Sequence, residues 1–132
     1  MSANSPCTAV VLAGAVLILA GCSIRSGPPP EFTDRSPLVS CGEIVLAQGD
    51  TVPPGAIRCM DEAAGKSGAE LSISSPTTEG DAIISYFRVG PEIDGIDQFV
   101  DATRDSFGPR RWTYQHCRGN VTISEYGACT AR

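Results

Sequence analysis

From Ser40 to Arg132 the chain is short, and it holds four cysteines placed two and two: Cys41 and Cys59 early, Cys117 and Cys129 late. A span of this length makes one small domain and no more, with a modest core. Cross-links are what such a core lacks. Four cysteines admit three pairings, which sequence alone does not separate. Locality favours Cys41–Cys59 with Cys117–Cys129, because each pair then lies within one segment at its own end. Closing loops of this size is worth roughly 3 kcal/mol each by the loss of unfolded-chain entropy. Zinc is the competing use for the thiols, but the chain has no C-x-x-C pair and one histidine, His116. Neither a metal nor a cofactor is expected.

Disulfides persist in oxidising compartments, and the N-terminus supplies a route to one. Ala9 to Ala20 is a run of Ala, Val, Leu, Ile and Gly as long as a signal-peptide apolar region. A spanning helix needs roughly 20 apolar residues, and Ser23-Ile24-Arg25-Ser26-Gly27-Pro28 cuts this run off well short. Residues 1–21 carry no Lys or Arg, so the usual basic start is reduced to the α-amino group. Leu19-Ala20-Gly21-Cys22 closes the run and resembles the lipobox of bacterial lipoproteins. That resemblance implies cleavage of residues 1–21 and a Cys22 that carries a diacylglyceryl group and often an N-acyl chain such as palmitate. Of six cysteines, Cys7 then leaves with the leader and Cys22 is consumed by lipid, which leaves the even four. The expected location is the extracytoplasmic face of the cell membrane, held by lipid.

Charge narrows the partners. All 15 acidic and 10 basic residues follow Cys22, so the net charge of −5 belongs to the mature chain. An acidic domain gains no counterion-release energy from nucleic acid, and no nucleic-acid partner is expected. Its overall charge does not draw it to anionic headgroups either, so attachment falls to the acyl chains, two or more of which give stable anchoring. Residues 22–39 contain Pro28, Pro29, Pro30 and Pro37 with little apolar content. They read as an extended tether between lipid and a domain at 40–132.

Within the domain, Glu43–Ala47 reads as a strand stopped by Gly49-Asp50. Thr51 or Asp50 can cap a helix with Pro53 and Pro54 at its start and Ile57, Met60 and Ala64 at helical spacing. Gly65 and Gly68 end it. Ala69–Ser74 alternates apolar and polar, a half-buried strand, and Ala82–Val89, apolar on both faces, suits a central one. Pro91 through Gly95 is turn chemistry, with Asp94-Gly95 as a hairpin signal. Trp112, Tyr114 and His116 share one face of a further strand, expected to pack beneath the helix, and a last short strand falls at Val121–Ser124 or ends at Cys129. Ile96–Phe107 fits either a helix or a strand by pattern, with the helix slightly ahead.

A resemblance bears on that choice. Thr77-Thr78-Glu79-Gly80-Asp81-Ala82-Ile83 after a strand, then Asp105-Ser106-Phe107-Gly108 and Cys117, resembles a group of small bacterial lipoproteins of unknown activity. Their shared segment reads T-x-E-G-D-[PA]-I, and a late cysteine pair ends the domain. The resemblance covers about Gly42 to Cys129 and implies a strand at Ile96–Ala102. This chain departs from it by Ala82, where proline is common, and by its early cysteine pair. The expected fold is α+β: one helix packed on a small, mostly antiparallel, disulfide-stapled sheet.

The candidate sites are few. Glu79 and Asp81 place two carboxylates in one tight turn, which suits a solvated hairpin tip better than glycosidase chemistry, whose carboxylates stand about 5 Å or more apart across the bond. Asp94, Asp97, Asp101 and Asp105 line up only if their segment is helical, and no calcium loop is present. Trp112, Tyr114 and His116 form the one aromatic stripe and could stack on a sugar or a peptide. Gly65-Lys66-Ser67 lacks the earlier glycine of a phosphate-binding loop. These features favour a non-enzymatic binding or interaction module for an envelope protein or small ligand, with Glu79, Asp81, Trp112, Tyr114 and His116 as its surface. A small hydrolase using Glu79, Asp81 or His116, and a purely structural lipoprotein, are the alternatives.

Overall fold

The computed structural model describes residues 27–132. The leader at 1–21 and the lipidation site Cys22 lie outside the described residues. Five strands form one sheet in the order β1 (Val39–Val45), β2 (Ala69–Pro76), β3 (Ala82–Gly90), β4 (Ile93–Asp101) and β5 (Trp112–Cys117). β1 and β2 are parallel, joined through a crossover helix at Pro54–Ala63, and the other neighbours are antiparallel. A small hairpin of β6 (Val121–Ile123) and β7 (Cys129–Ala131) lies apart from the main ladder. The fold is α+β. A single helical turn at Pro30–Thr33, α1, precedes the sheet, so the crossover helix is α2.

Alternation decides the inner face. Ala69, Leu71 and Ile73 on β2, Phe87 and Val89 on β3, and Ile96 on β4 are all buried on the side that α2 covers. Successive strand residues point to opposite faces, so these positions form one layer. α2 meets them with Ala56 and Met60, one turn apart, and Ile123 of the small hairpin completes the packing. Pro54 begins α2, where the missing N–H costs nothing. The expected side-chain cap is absent: Pro53 holds the N-cap position, and neither Asp50 nor Thr51 serves there. Asp50 instead accepts the backbone N–H of Ala47 and closes the turn after β1.

Both favoured disulfides are present. Cys41–Cys59 joins β1 to α2 with Cα atoms 5.8 Å apart, and Cys117–Cys129 joins β5 to β7 at 6.3 Å. Each therefore fastens a covering element of the inner face to an edge strand.

Two elements depart from expectation for backbone reasons. The β3–β4 hairpin turns at Pro91-Glu92, at the start of the expected turn stretch and not at Asp94-Gly95, since Gly90 pairs with Ile93. Position 95 still requires glycine on two counts: its φ is +98°, and a Cβ there would strike the Cys117 carbonyl of β5. The glycine marks a close approach within β4 rather than a turn. The 96–107 segment is a strand to Asp101, so the supposed acidic stripe is not one surface: Asp97 and Asp101 lie on β4 while Asp105 lies in the following loop. Among the described residues no helix is long and apolar enough to cross a membrane.

Candidate functional site

The face of the sheet turned away from α2 is ordered by strand register into three rows. Glu70, Arg88, Asp97 and His116 are successive cross-strand neighbours, a polar row in which Arg88 stands between two carboxylates. Tyr86, Phe99 and Tyr114 form the next row, and Ile84, Asp101 and Trp112 the third. Directly opposed residues sit about 4.5–5.5 Å apart at Cβ, close enough for each pair to contribute. The Phe99 and Tyr114 rings stack with centroids 4.9 Å apart.

Trp112, Tyr114 and His116 do share a face, but they do not pack beneath the helix. The register puts them opposite Asp101, Phe99 and Asp97, on the far side of the sheet from α2. There the cover is α1. Phe32 sets its ring 4.7 Å from Tyr86, 4.7 Å from Trp112 and 5.4 Å from Phe99. The Arg35 guanidinium lies 3.7 Å above the Phe32 ring and donates two hydrogen bonds to the Glu70 carboxylate, at 2.8 and 2.9 Å. A planar fork on a carboxylate with an aromatic below it suits arginine and not lysine. Part of the segment expected to be an extended tether thus folds onto the sheet. It is held by side chains, with Arg88 adding a bond to the Ser36 carbonyl.

Electrostatics follow from these contacts. The hydrogen bonds from Arg35 hold the Glu70 carboxyl below its ordinary value, and the same contact raises Arg35. Arg88 Nε stands 3.0 Å from Glu70 Oε2, an ion pair by distance, yet its N–H is out of line and makes no hydrogen bond. Burial raises the Tyr86 phenol.

Asp97 gathers the other end of the charged row. One carboxylate oxygen accepts the Tyr114 hydroxyl at 2.9 Å and meets His116 Nδ1 at 2.6 Å. Partial burial, and then this bond, raise the Tyr114 phenol. The pair has the outline of an oriented general base, but it stands on an open face. The four described cysteines are all disulfide-bonded and offer no thiol nucleophile. A cleft of about 460 Å³ lies elsewhere, between Met60 near the end of α2 and the β3–β4 hairpin.

Glu79 and Asp81 sit in the β2–β3 loop, at the end of the sheet where Trp112 begins β5. Asp81 accepts the Ser106 N–H at 2.8 Å, and that bond lowers its pKa. The carboxylate ties two loops together, while Glu79 is exposed. The structure therefore brings Tyr114 and His116 together through Asp97, places Trp112 under Phe32, and leaves Glu79 and Asp81 in a separate loop cluster. Among the described residues no group of three or more His, Cys, Asp or Glu is placed to hold a metal ion.

Sequence reasoning missed Phe32, Arg35 and Glu70. One signal was there: Phe32 is the lone aromatic in a proline-rich stretch, and Pro30 is a suitable first residue of a helical turn. No protein-family model, curated protein or solved structure matches this chain.

Proposed function

We propose that the chain is a lipid-anchored protein of the bacterial cell envelope, whose disulfide-stapled domain is a non-enzymatic binding module working through the outer face of its sheet. Kinship with the small lipoproteins that share the T-x-E-G-D-[PA]-I segment belongs to the same proposal. One observation carries the choice of surface: Tyr114 is 50% exposed, stacked on Phe99 and fixed by Asp97 beside His116. A half-exposed tyrosine held rigid at low entropic cost is the kind of residue that recognition surfaces use. The lipobox and the pairing of all four remaining cysteines support an oxidising location outside the cytosol.

The hydrolase reading has the His116–Asp97 contact in its favour. Against it, Asp97 is shared with Tyr114 on an open face, an arrangement that positions a phenol as readily as it activates water.

The test has two arms. Cys22→Ala should move the protein from the membrane fraction to the soluble one, and an unchanged distribution would contradict lipid anchoring. A photo-crosslinker at position 114 in intact cells should capture a neighbour that the same probe on exposed Glu62 does not. Equal capture at both positions would contradict the choice of surface.

A further inference from the structure

The loop between β4 and β5, residues 102–111, carries an exposed aromatic at its tip. Phe107 is 81% exposed, and Arg104, Arg110 and Arg111 around it are exposed as well. Four carboxylates lie near, and three of them accept hydrogen bonds from loop backbone. Asp105 accepts the N–H groups of Phe107 and Gly108, Asp81 accepts that of Ser106, and Asp101 accepts Thr103. Glu79 is the fourth and is exposed. The net charge of −5 is not spread evenly: residues 102–111 themselves hold three arginines against one aspartate, Asp105, which bonds its own loop backbone.

The described chain begins at the same end of the molecule. Gly27, Pro28, Pro29 and Pro30 line a shallow cleft with Trp112, the residue that follows this loop. At roughly 3.6 Å per residue, the five steps from Cys22 to Gly27 reach at most about 18 Å. While Phe32 and Arg35 hold α1 on the sheet that reach does not lengthen, so an anchored Cys22 keeps this end of the sheet close to the lipid.

We propose that the 102–111 loop is a membrane-contacting surface: Phe107 enters the headgroup region of the bilayer, and Arg104, Arg110 and Arg111 meet lipid phosphates. An aromatic ring flanked by long cationic side chains suits that boundary, because the ring leaves water while the guanidinium groups stay at the phosphates. This contact rests on the lipid-anchor reading and adds to it a fixed orientation. The domain rests on its loop end, with the β3–β4 hairpin pointing away.

Trp112 is the only tryptophan, so a single probe can be moved. In a Trp112→Phe background, Phe107→Trp and Glu92→Trp report the two ends of the sheet. The acylated mature proteins, beginning at Cys22, are placed in phosphatidylcholine–phosphatidylglycerol vesicles, with and without brominated acyl chains. A blue shift and a loss of emission in brominated vesicles are expected at position 107, with neither at position 92. The loss should shrink when phosphatidylglycerol is omitted, and an undiminished loss would overturn the role of the arginines. Protein found on the vesicles with emission at position 107 unquenched, or quenched no more than at position 92, overturns the docking alone. Protein not held by the vesicles at all overturns the anchor, and the docking with it. A control with Trp112 retained guards against misfolding, since the position-107 signal is then read as a difference spectrum.

Discussion

The two faces of the sheet are closed on different terms. The inner face lies under a ten-residue helix and a small hairpin, each fastened to an edge strand by a disulfide, over fully buried Leu71 and Phe87. The outer face lies under one turn of helix that no disulfide reaches. Phe32, Arg35 and the Ser36 carbonyl are its attachments. Stability belongs to the first face, and freedom to change belongs to the second. Elements with few buried contacts open locally at a small fraction of the global unfolding free energy. Here such an element sits between the proposed lipid anchor and the aromatic face.

The largest effect should come from breaking the inner face. Phe87→Ala removes a wholly buried ring and should cost about 3–5 kcal/mol, read from denaturant melts. A loss under half of that would contradict the placing of the core. Opening Cys41–Cys59 by a Cys41→Ala, Cys59→Ala double substitution comes next, at about 2–5 kcal/mol. Phe32→Ala should cost less, about 1–2 kcal/mol, because the ring is only partly buried. Its clearer signature is local: Trp112 emission becomes more accessible to acrylamide while the far-ultraviolet spectrum holds. Equal losses for Phe32→Ala and Phe87→Ala would erase the difference between the faces.

Acid should act on the outer face first. Glu70 has a depressed pKa in the folded protein, so the Arg35 clamp is complete above the free carboxylate value of about 4.3. Its contribution is lost as pH falls through the lower, folded value. Trp112 accessibility should rise over that window, and Glu70→Gln should abolish the dependence; a rise that persists in Glu70→Gln would assign it to another group. The smallest effects belong to the loop cluster. Asp81→Ala should shift the melting temperature slightly by freeing Ser106, and Glu79→Ala should leave it unchanged.

How much of this was legible in the sequence differs between the faces for the same physical reason. The inner face announces itself through local signals: alternation at Ala69, Leu71 and Ile73, helical spacing at Met60, and two cysteine pairs short in sequence. The outer face is assembled by register. Arg88 meets Asp97, and Asp97 meets His116, only once three strands are aligned, and no local pattern encodes that alignment. Arg35 and Glu70 are 35 positions apart. Asp94-Gly95 misled because a glycine forced by a neighbouring carbonyl leaves the same trace in sequence as one forced by a turn. Alternation puts Trp112, Tyr114 and His116 on one face, but which face it is follows from their register against β4, and the cover they meet there, α1, is hidden in a proline-rich stretch.

Native-state amide hydrogen exchange compares the faces within one sample. Phe32, Thr33 and Asp34, whose N–H groups bond only within their own turn, should exchange orders of magnitude faster than Leu71 and Phe87 in the central strands. Exchange of all five at one common rate would show the outer cover to be as firmly held as the core, and the division between the faces would not stand.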